Sequence, residues 1–372
     1  MSDERRFWRA GAAAVALAAL SGLAQQARAE PSVTLLPLGF EVTEFRGPGS
    51  RLATVLSSSD ALRGERLAPD QKVIAVWGKT GGAALTLAGR ELRTVPLGPS
   101  IADAAERETA RSAIPGSRLQ AAGPLTAYLS DSTEDYRHGV LGDAVEAKAV
   151  SIVERQPVAI GPDPKPVPTR TAKVPAGDTA VFEDLEPRLA DLDGDGAPEI
   201  VVVKSSSERG SSLAVIGRRE GAWAIVAETP PIGQPNRWLN PAAIADFDGD
   251  GKTDIALVRT PHLDGVLQLW TFDRGRLALR HEAAGYSNHA LGSTALDNAA
   301  AVDLDGDGRP ELVIPTLDRT ALAVLSLKGG VKEIRRIALP ARVLRGVAAL
   351  GAGKDAHLLA ALEDGRVALV RP

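Results

Sequence analysis

The chain has no cysteine, which excludes disulfides, thiol nucleophiles and thiolate metal sites. Aromatic residues are scarce at 4%, so any core must be built from small and branched aliphatic side chains. Charge of one sign is not in excess either. The formal net charge is −4 over 372 residues, which argues against nucleic acid as a partner. No H-E-x-x-H, no glycine-rich phosphate loop and no basic strip is present. The five histidines (138, 262, 281, 289 and 357) form no H-x-x-x-H pair and sit near no nucleophilic serine motif. We therefore expect a protein that is not an enzyme.

What is abundant is glycine (37), proline (25) and apolar residues (44%). That balance suits a folded, β-rich chain with many turns. The first 29 residues read differently. Arg5, Arg6 and Arg9 precede an uncharged alanine-rich run from Ala10 to Ala27, closed by Ala27-Arg28-Ala29 ahead of Glu30. These are the three parts of a secretory signal peptide cut after Ala29, and the apolar run is short for a stable membrane span. The expected location is periplasmic or secreted. Arg5-Arg6 leaves both the general and the twin-arginine export routes open.

Acidic clusters dominate the second half. "DLDGDGAPE" begins at Asp191, "DFDGDGKTD" at Asp246 and "DLDGDGRPE" at Asp303, in steps of 55 and 57 residues. A period near 50 signals a repeat architecture. Each cluster is followed by three alternating apolar segments and preceded by a short small-residue one, so each unit reads as four strands, one propeller blade. "VAALGAGKDAHLLAA" (347–361) aligns with 301–315, with Ala349, Gly351, Gly353 and His357 in place of the carboxylates.

The expected fold is all-β, a propeller of four-stranded blades over 30–372. Clear repeats span 182–340, degenerate blades span 50–162 and 343–372, and a Pro-rich connector spans 163–178. Six blades are counted, near 50–98, 114–162, 182–231, 238–286, 289–340 and 343–372, with seven as the alternative. The strand-like segment "SVTLLPLGFEV" that follows the leader is placed to complete the last blade and close the ring. One helix is expected over 100–113, opened by Ser100 as its cap.

Alternating aspartates in a loop are what a hard cation such as Ca²⁺ needs. The pattern is D-x-D-G-D-G-x-x-[DE]. Candidate ligands are Asp191, Asp193, Asp195, the Ala197 carbonyl and Glu199 in the first loop. The second offers Asp246, Asp248, Asp250, the Lys252 carbonyl and Asp254, and the third Asp303, Asp305, Asp307, the Arg309 carbonyl and Glu311. Unscreened by metal, two carboxylates 4 Å apart repel by roughly 4 kcal/mol at protein-like dielectric. A divalent ion turns that repulsion into a clamp between two strands. An EF-hand is excluded because position 12 is Val202, Leu257 or Ile314 rather than Glu, and β-branched segments replace helices. Three Ca²⁺ sites are expected.

These loops and the strands after them, "DLDGDGAPEIVVV", "DFDGDGKTDIALV" and "DLDGDGRPELVIP", resemble FG-GAP/VCBS repeats, the calcium-loop blades also found in integrin α-subunit propellers. The resemblance implies a loop that links the innermost strand of a blade to the next, a structural ion, and a bacterial secreted VCBS-repeat protein. The Phe-Gly element of the repeat is not matched, so integrin-type ligand binding is not carried over. The function expected is a calcium-stabilised binding or scaffold module for a protein or glycan ligand. The alternatives are a carbohydrate-active enzyme on a calcium propeller and a calcium-dependent surface adhesion protein. Asn236, Arg237, Trp238, Asn288 and His289 fall in blade-to-blade connections that gather on one face, and form the candidate ligand patch.

Overall fold

The computed structural model describes residues 30–58, 71–98, 100–157 and 166–372. Residues 1–29, expected as a signal peptide, lie outside the described residues, as does most of "QPVAIGP" (156–162), expected as a strand.

Strands form where apolar residues alternate or run unbroken between Gly-, Asp- and Pro-containing turns, and nearly all pair antiparallel with their sequence neighbours. The result is an all-β propeller. Among the described residues the strands sort into six antiparallel sets of four. The first comprises Glu44–Arg46, Val73–Gly78, Gly81–Ala88 and Glu91–Leu97. The second comprises Gln120–Ala122, Leu125–Thr133, Glu146–Arg155 and Thr169–Pro175. The third is Arg188–Ala190, Glu199–Ser206, Gly210–Arg219 and Ala222–Glu228. The fourth is Leu239–Ala245, Asp254–Arg259, Val266–Asp273 and Arg276–Ala284. The fifth is Ala300–Val302, Glu311–Pro315, Ala321–Ser326 and Lys332–Ala338. The last is Val343–Leu350, His357–Leu362 and Val367–Arg371, completed by Ser32–Leu35 from the other end of the chain. Ser32–Leu35 pairs with Val367–Arg371, Ser32 opposite Arg371 and Leu35 opposite Ala368. Ala180–Phe182 bridges the second and third sets into one nine-stranded sheet.

Neighbouring sets are held by shared apolar layers. Ile152 and Ile200, Val203 and Leu257, Leu269 and Leu312, Val324 and Leu358, and Leu359 and Phe45 each belong to one buried cluster shared by two sets. In every set but one, successive residues of a strand face two different clusters, the period-2 alternation expected of sheets packed on both faces. The exception is the second set, whose apolar residues serve only the third. The free face of the first set is covered instead by two short helices, Arg51–Ser57 and Ser100–Glu106, whose Leu52, Leu56 and Ile101 share one buried cluster with Val73, Ala75 and Trp77. Ser50 caps the first helix, accepting from Ala53 N at 3.1 Å.

Several boundaries differ from the sequence expectation. The innermost strand of the first set is Glu44–Arg46, and 51–57, assigned to a blade, is helical. The helix expected over 100–113 ends at Glu106. The Pro-rich stretch 163–178, expected as a connector, supplies Thr169–Pro175 as the fourth strand of the second set. Its prolines do not prevent this, because a fourth strand is an edge strand and leaves one row of backbone groups unpaired. The fifth set begins at Ala300 rather than 289.

The innermost strands surround a cavity of about 390 Å³ lined by small residues such as Ala299–Ala301 and Val347–Ala349, with Glu186, Arg188 and Asp297 among its polar groups.

Candidate metal centres

All three acidic loops are built the same way. Each joins the innermost strand of its set to the second, in identical register: Ala190 opposite Glu199, Ala245 opposite Asp254, Val302 opposite Glu311. The residue at position 2 anchors the loop. Leu192 and Phe247 are fully buried and Leu304 partly so, each in a different inter-set cluster. Their N–H groups donate to the ninth-position acid: Leu192 to Glu199 Oε2 at 2.9 Å, Phe247 to Asp254 Oδ2 at 3.3 Å, Leu304 to Glu311 Oε2 at 2.8 Å.

The backbone then curls around the first aspartate. Asp191 accepts from Gly194 N and Gly196 N at 2.8 and 2.9 Å, Asp246 from Gly249 and Gly251 at 2.8 and 3.0 Å, and Asp303 from Gly306 and Gly308 at 2.6 and 3.0 Å. The curl needs positive φ at positions 4 and 6, which are +77° and +88° in the first loop. That is why both are glycine in every copy. The fifth-position aspartate accepts from the N–H two residues on, at Ala197, Lys252 and Arg309.

The carboxylates converge. Asp191, Asp193 and Glu199 each bring an oxygen within 4.8 Å of the others, as do Asp246, Asp248 and Asp250, and Asp303, Asp305 and Glu311. These are three clusters of hard oxygen donors without nitrogen or sulfur, which fit an alkaline-earth ion better than zinc or copper. The structure does not bring all the expected ligands together. Asp195 and Asp307 stand outside their clusters, and so does Asp254. Asp254 is one methylene shorter than the glutamates at its position. It is fully buried, and its second oxygen accepts from the Thr271 hydroxyl.

Burial governs the electrostatics of the ninth-position acids. Burial pushes Glu199 up to about 7, aided by Asp193, Asp195 and Asp191 and opposed by the Leu192 N–H. Burial likewise raises Glu311 and Asp254. Asp307 moves the other way, because the Arg309 N–H and guanidinium hold its charge in place.

The candidate ligand patch does not survive as a surface. Trp238, Asn288 and His289 are 2, 0 and 1% exposed. Asn288 Nδ2 donates to the carbonyls of Asn240 and Pro241 at 3.1 and 3.0 Å, tying one connection to the next. Trp238 Nε1 donates to the Glu183 carbonyl at 3.0 Å. His289 Nε2–H donates to the Ser293 carbonyl at 2.8 Å, so its Nδ1 accepts from His262 Nε2–H, also at 2.8 Å. Burial holds the two rings neutral, at about 3 and about 4. Only Asn236 and Arg237 of the five reach the outer surface. A connection between closely packed sheets has to pair its own backbone groups, and these side chains do it.

Sequence reasoning also missed a buried ionic network beside the central cavity. Arg118 Nε donates to Glu186 Oε2 at 2.8 Å, and Arg188 donates to Asp184 Oδ2 at 2.7 Å. Burial opposes the charge on Glu186, but Arg118 outweighs it and draws the carboxyl down to about 2. The first pair is 68 residues apart, and no local spacing signals it.

The model of the FG-GAP-like repeat matches residues 191–257 and 246–314, each match running from the first aspartate of one loop to the strand after the next. The chain thus carries FG-GAP-like repeats over 191–314. Among curated proteins no match was found. Among solved structures, the crystal structure of the N-terminal domain of Nup159 aligns at 11% identity over 80% of this chain and 72% of that chain, with a TM-score of 0.37.

Proposed function

We propose that this chain is an exported β-propeller whose three D-x-D-G-D-G loops each take a Ca²⁺ ion, and that it serves as a binding or scaffold module rather than an enzyme. The observation that carries the reading is the threefold recurrence of one hairpin, with the same register, the same glycine curl and an acidic cluster at each tip. In the first and third loops position 1 directly follows the innermost strand, position 9 opens the second, and both belong to the acidic cluster, so an ion shared between them clamps the two strands. Its role is then structural. Ala29 is where the leader would be cut, leaving a mature chain in the periplasm or outside the cell.

An ion that binds only the folded state adds about 2.7 kcal/mol per site at 100-fold excess over Kd. The mature chain should therefore melt at a higher temperature in excess calcium than in EDTA, with asparagine at Asp191, Asp246 and Asp303 together abolishing the difference. Identical melting curves in calcium and EDTA for the unaltered protein would refute the calcium reading.

A further inference from the structure

Strand alternation gives the second set, 120–175, two faces of different chemistry. Leu125, Ala127, Leu129, Val150 and Ile152 point to the third set and are buried there. The residues between them point the opposite way, and belong to no apolar cluster among the described residues. On that face lie Tyr128, Ser130 and Ser151, and the register places Tyr128 opposite Ser151 and Ser151 opposite Lys173. A row of hydroxyl and amine groups therefore crosses three strands, where the other sets carry aliphatic side chains.

A cleft of about 360 Å³ opens over this row, at the lower end of the range for small-molecule sites, roughly 300–1,000 Å³. One wall is Ser112, held there because Ala113 bridges to Ser130 and Ile114 N donates to the Leu129 carbonyl at 3.0 Å. Ser112 Oγ and Tyr128 OH lie 2.8 Å apart, and so do Ser130 Oγ and Ser151 Oγ. Each hydroxyl has one donor and two acceptor sites, so each pair keeps unused hydrogen-bonding capacity. Beyond them Lys173 Nζ donates to both oxygens of Asp131 at 2.8 Å. Asp131 adopts φ +59°, a conformation uncommon outside glycine, and is skipped in the strand pairing. The register continues unshifted past Asp131, whose carboxylate reaches Lys173.

We propose that this cleft is a saccharide-binding site. Three classes of small ligand can be weighed against its lining. An apolar ligand would strand the hydroxyls without partners, at a cost for each. An ionic ligand finds no net charge to meet, because Asp131 and Lys173 neutralise each other. A sugar matches in kind: its hydroxyls both donate and accept, its C–H face can lie against the Tyr128 ring, and the Asp131–Lys173 pair supplies one strong acceptor and one strong donor at the rim. The site names a ligand class for the binding module proposed above, and rests on that reading. It lies in a different set from the three acidic loops.

The test is saturation-transfer NMR and isothermal titration of the full mature chain in calcium. The probes are glucose, galactose, mannose, fucose, rhamnose and N-acetylglucosamine, each with its β-linked disaccharide. The expected result is binding of at least one probe. Tyr128→Phe and Ser112→Ala should each weaken that binding roughly tenfold, with melting temperature unchanged. Ser112 is exposed and the Tyr128 change removes one oxygen, so both variants keep the fold. Absence of binding by all probes, or binding that neither substitution weakens, would overturn the proposal. The calcium-dependent melting shift reads out separately, so either idea can fail while the other stands.

Discussion

Two residues show how narrowly single positions are determined. Gly265 sits at φ +55°, and a Cβ added there would lie 2.0 Å from the Tyr286 carbonyl oxygen, a backbone atom that cannot step aside. Gly265→Ala should destabilise the protein by about 2–4 kcal/mol, read as a fall in the urea midpoint at unchanged m-value. Glu146 is buried, one of its oxygens has no hydrogen-bond partner, and burial raises its carboxyl from 4.5 to about 9, with Glu183, Asp143 and Asp184 adding to the shift. Its folded pKa exceeds its unfolded one, so the folded state holds the proton more tightly. The stability it contributes is complete below about pH 4.5 and is lost as pH rises toward 9. At pH 7 the loss is on the order of 3 kcal/mol. Glu146→Gln should flatten the decline of stability across that window, measured by urea melts at several pH values; an unaltered slope would exclude Glu146 as its source. Nothing in "DAVEAKAV" marks this glutamate as buried, since two of the three acids that raise it, Glu183 and Asp184, lie far along the chain.

At the scale of elements, the acidic loops are not independent hairpins. The Thr253 hydroxyl of the second loop donates to the Asp191 carbonyl of the first at 3.0 Å. Arg309 of the third loop lies over Gly249 of the second, so close that a Cβ on Gly249 would meet its Cδ at 2.5 Å. Gly353 N, from the degenerate copy, donates to the Asp303 carbonyl at 2.7 Å. Thr253→Val should therefore weaken calcium at the first loop by roughly three- to tenfold, measured by titration with Asp246 and Asp303 replaced by asparagine. Affinity unchanged by the substitution would show that the cross-loop bond contributes nothing to the site. The loops themselves were legible in the sequence, because a turn that needs positive φ at two fixed positions and acids at four others leaves a local signature. The cross-loop contacts were not, since they depend on how neighbouring sets are angled. The degenerate copy illustrates both points. Its alignment to 301–315 was readable, yet only the structure shows that His357 pairs with Leu350, a register shifted by two residues from that of Glu311 with Val302. Where the carboxylates are missing, the loop between the two strands is two residues shorter.

Across the whole molecule, the two ends of the chain close one sheet. Ser32–Leu35 covers the edge of Val367–Arg371 and joins the first-made strand to the last. A chain starting after Leu35 should lose about 1–3 kcal/mol and associate with itself, because the exposed edge can pair with another copy. Lower urea midpoints with concentration-dependent light scattering would be the outcome, whereas a monomer of unchanged stability would show that closure is dispensable. The sequence by itself determined the class of the fold, the period of its repeats and the chemistry of its loops. Those properties are written in short-range patterns: alternation of two, glycine at fixed offsets, acids two residues apart. Only the tertiary structure decided that 169–175 is a strand, that Trp238 and His289 are packing rather than surface, and that Arg118 finds Glu186. Each of these is settled by which segments meet in space, and burial and charge pairing act between residues far apart in the chain.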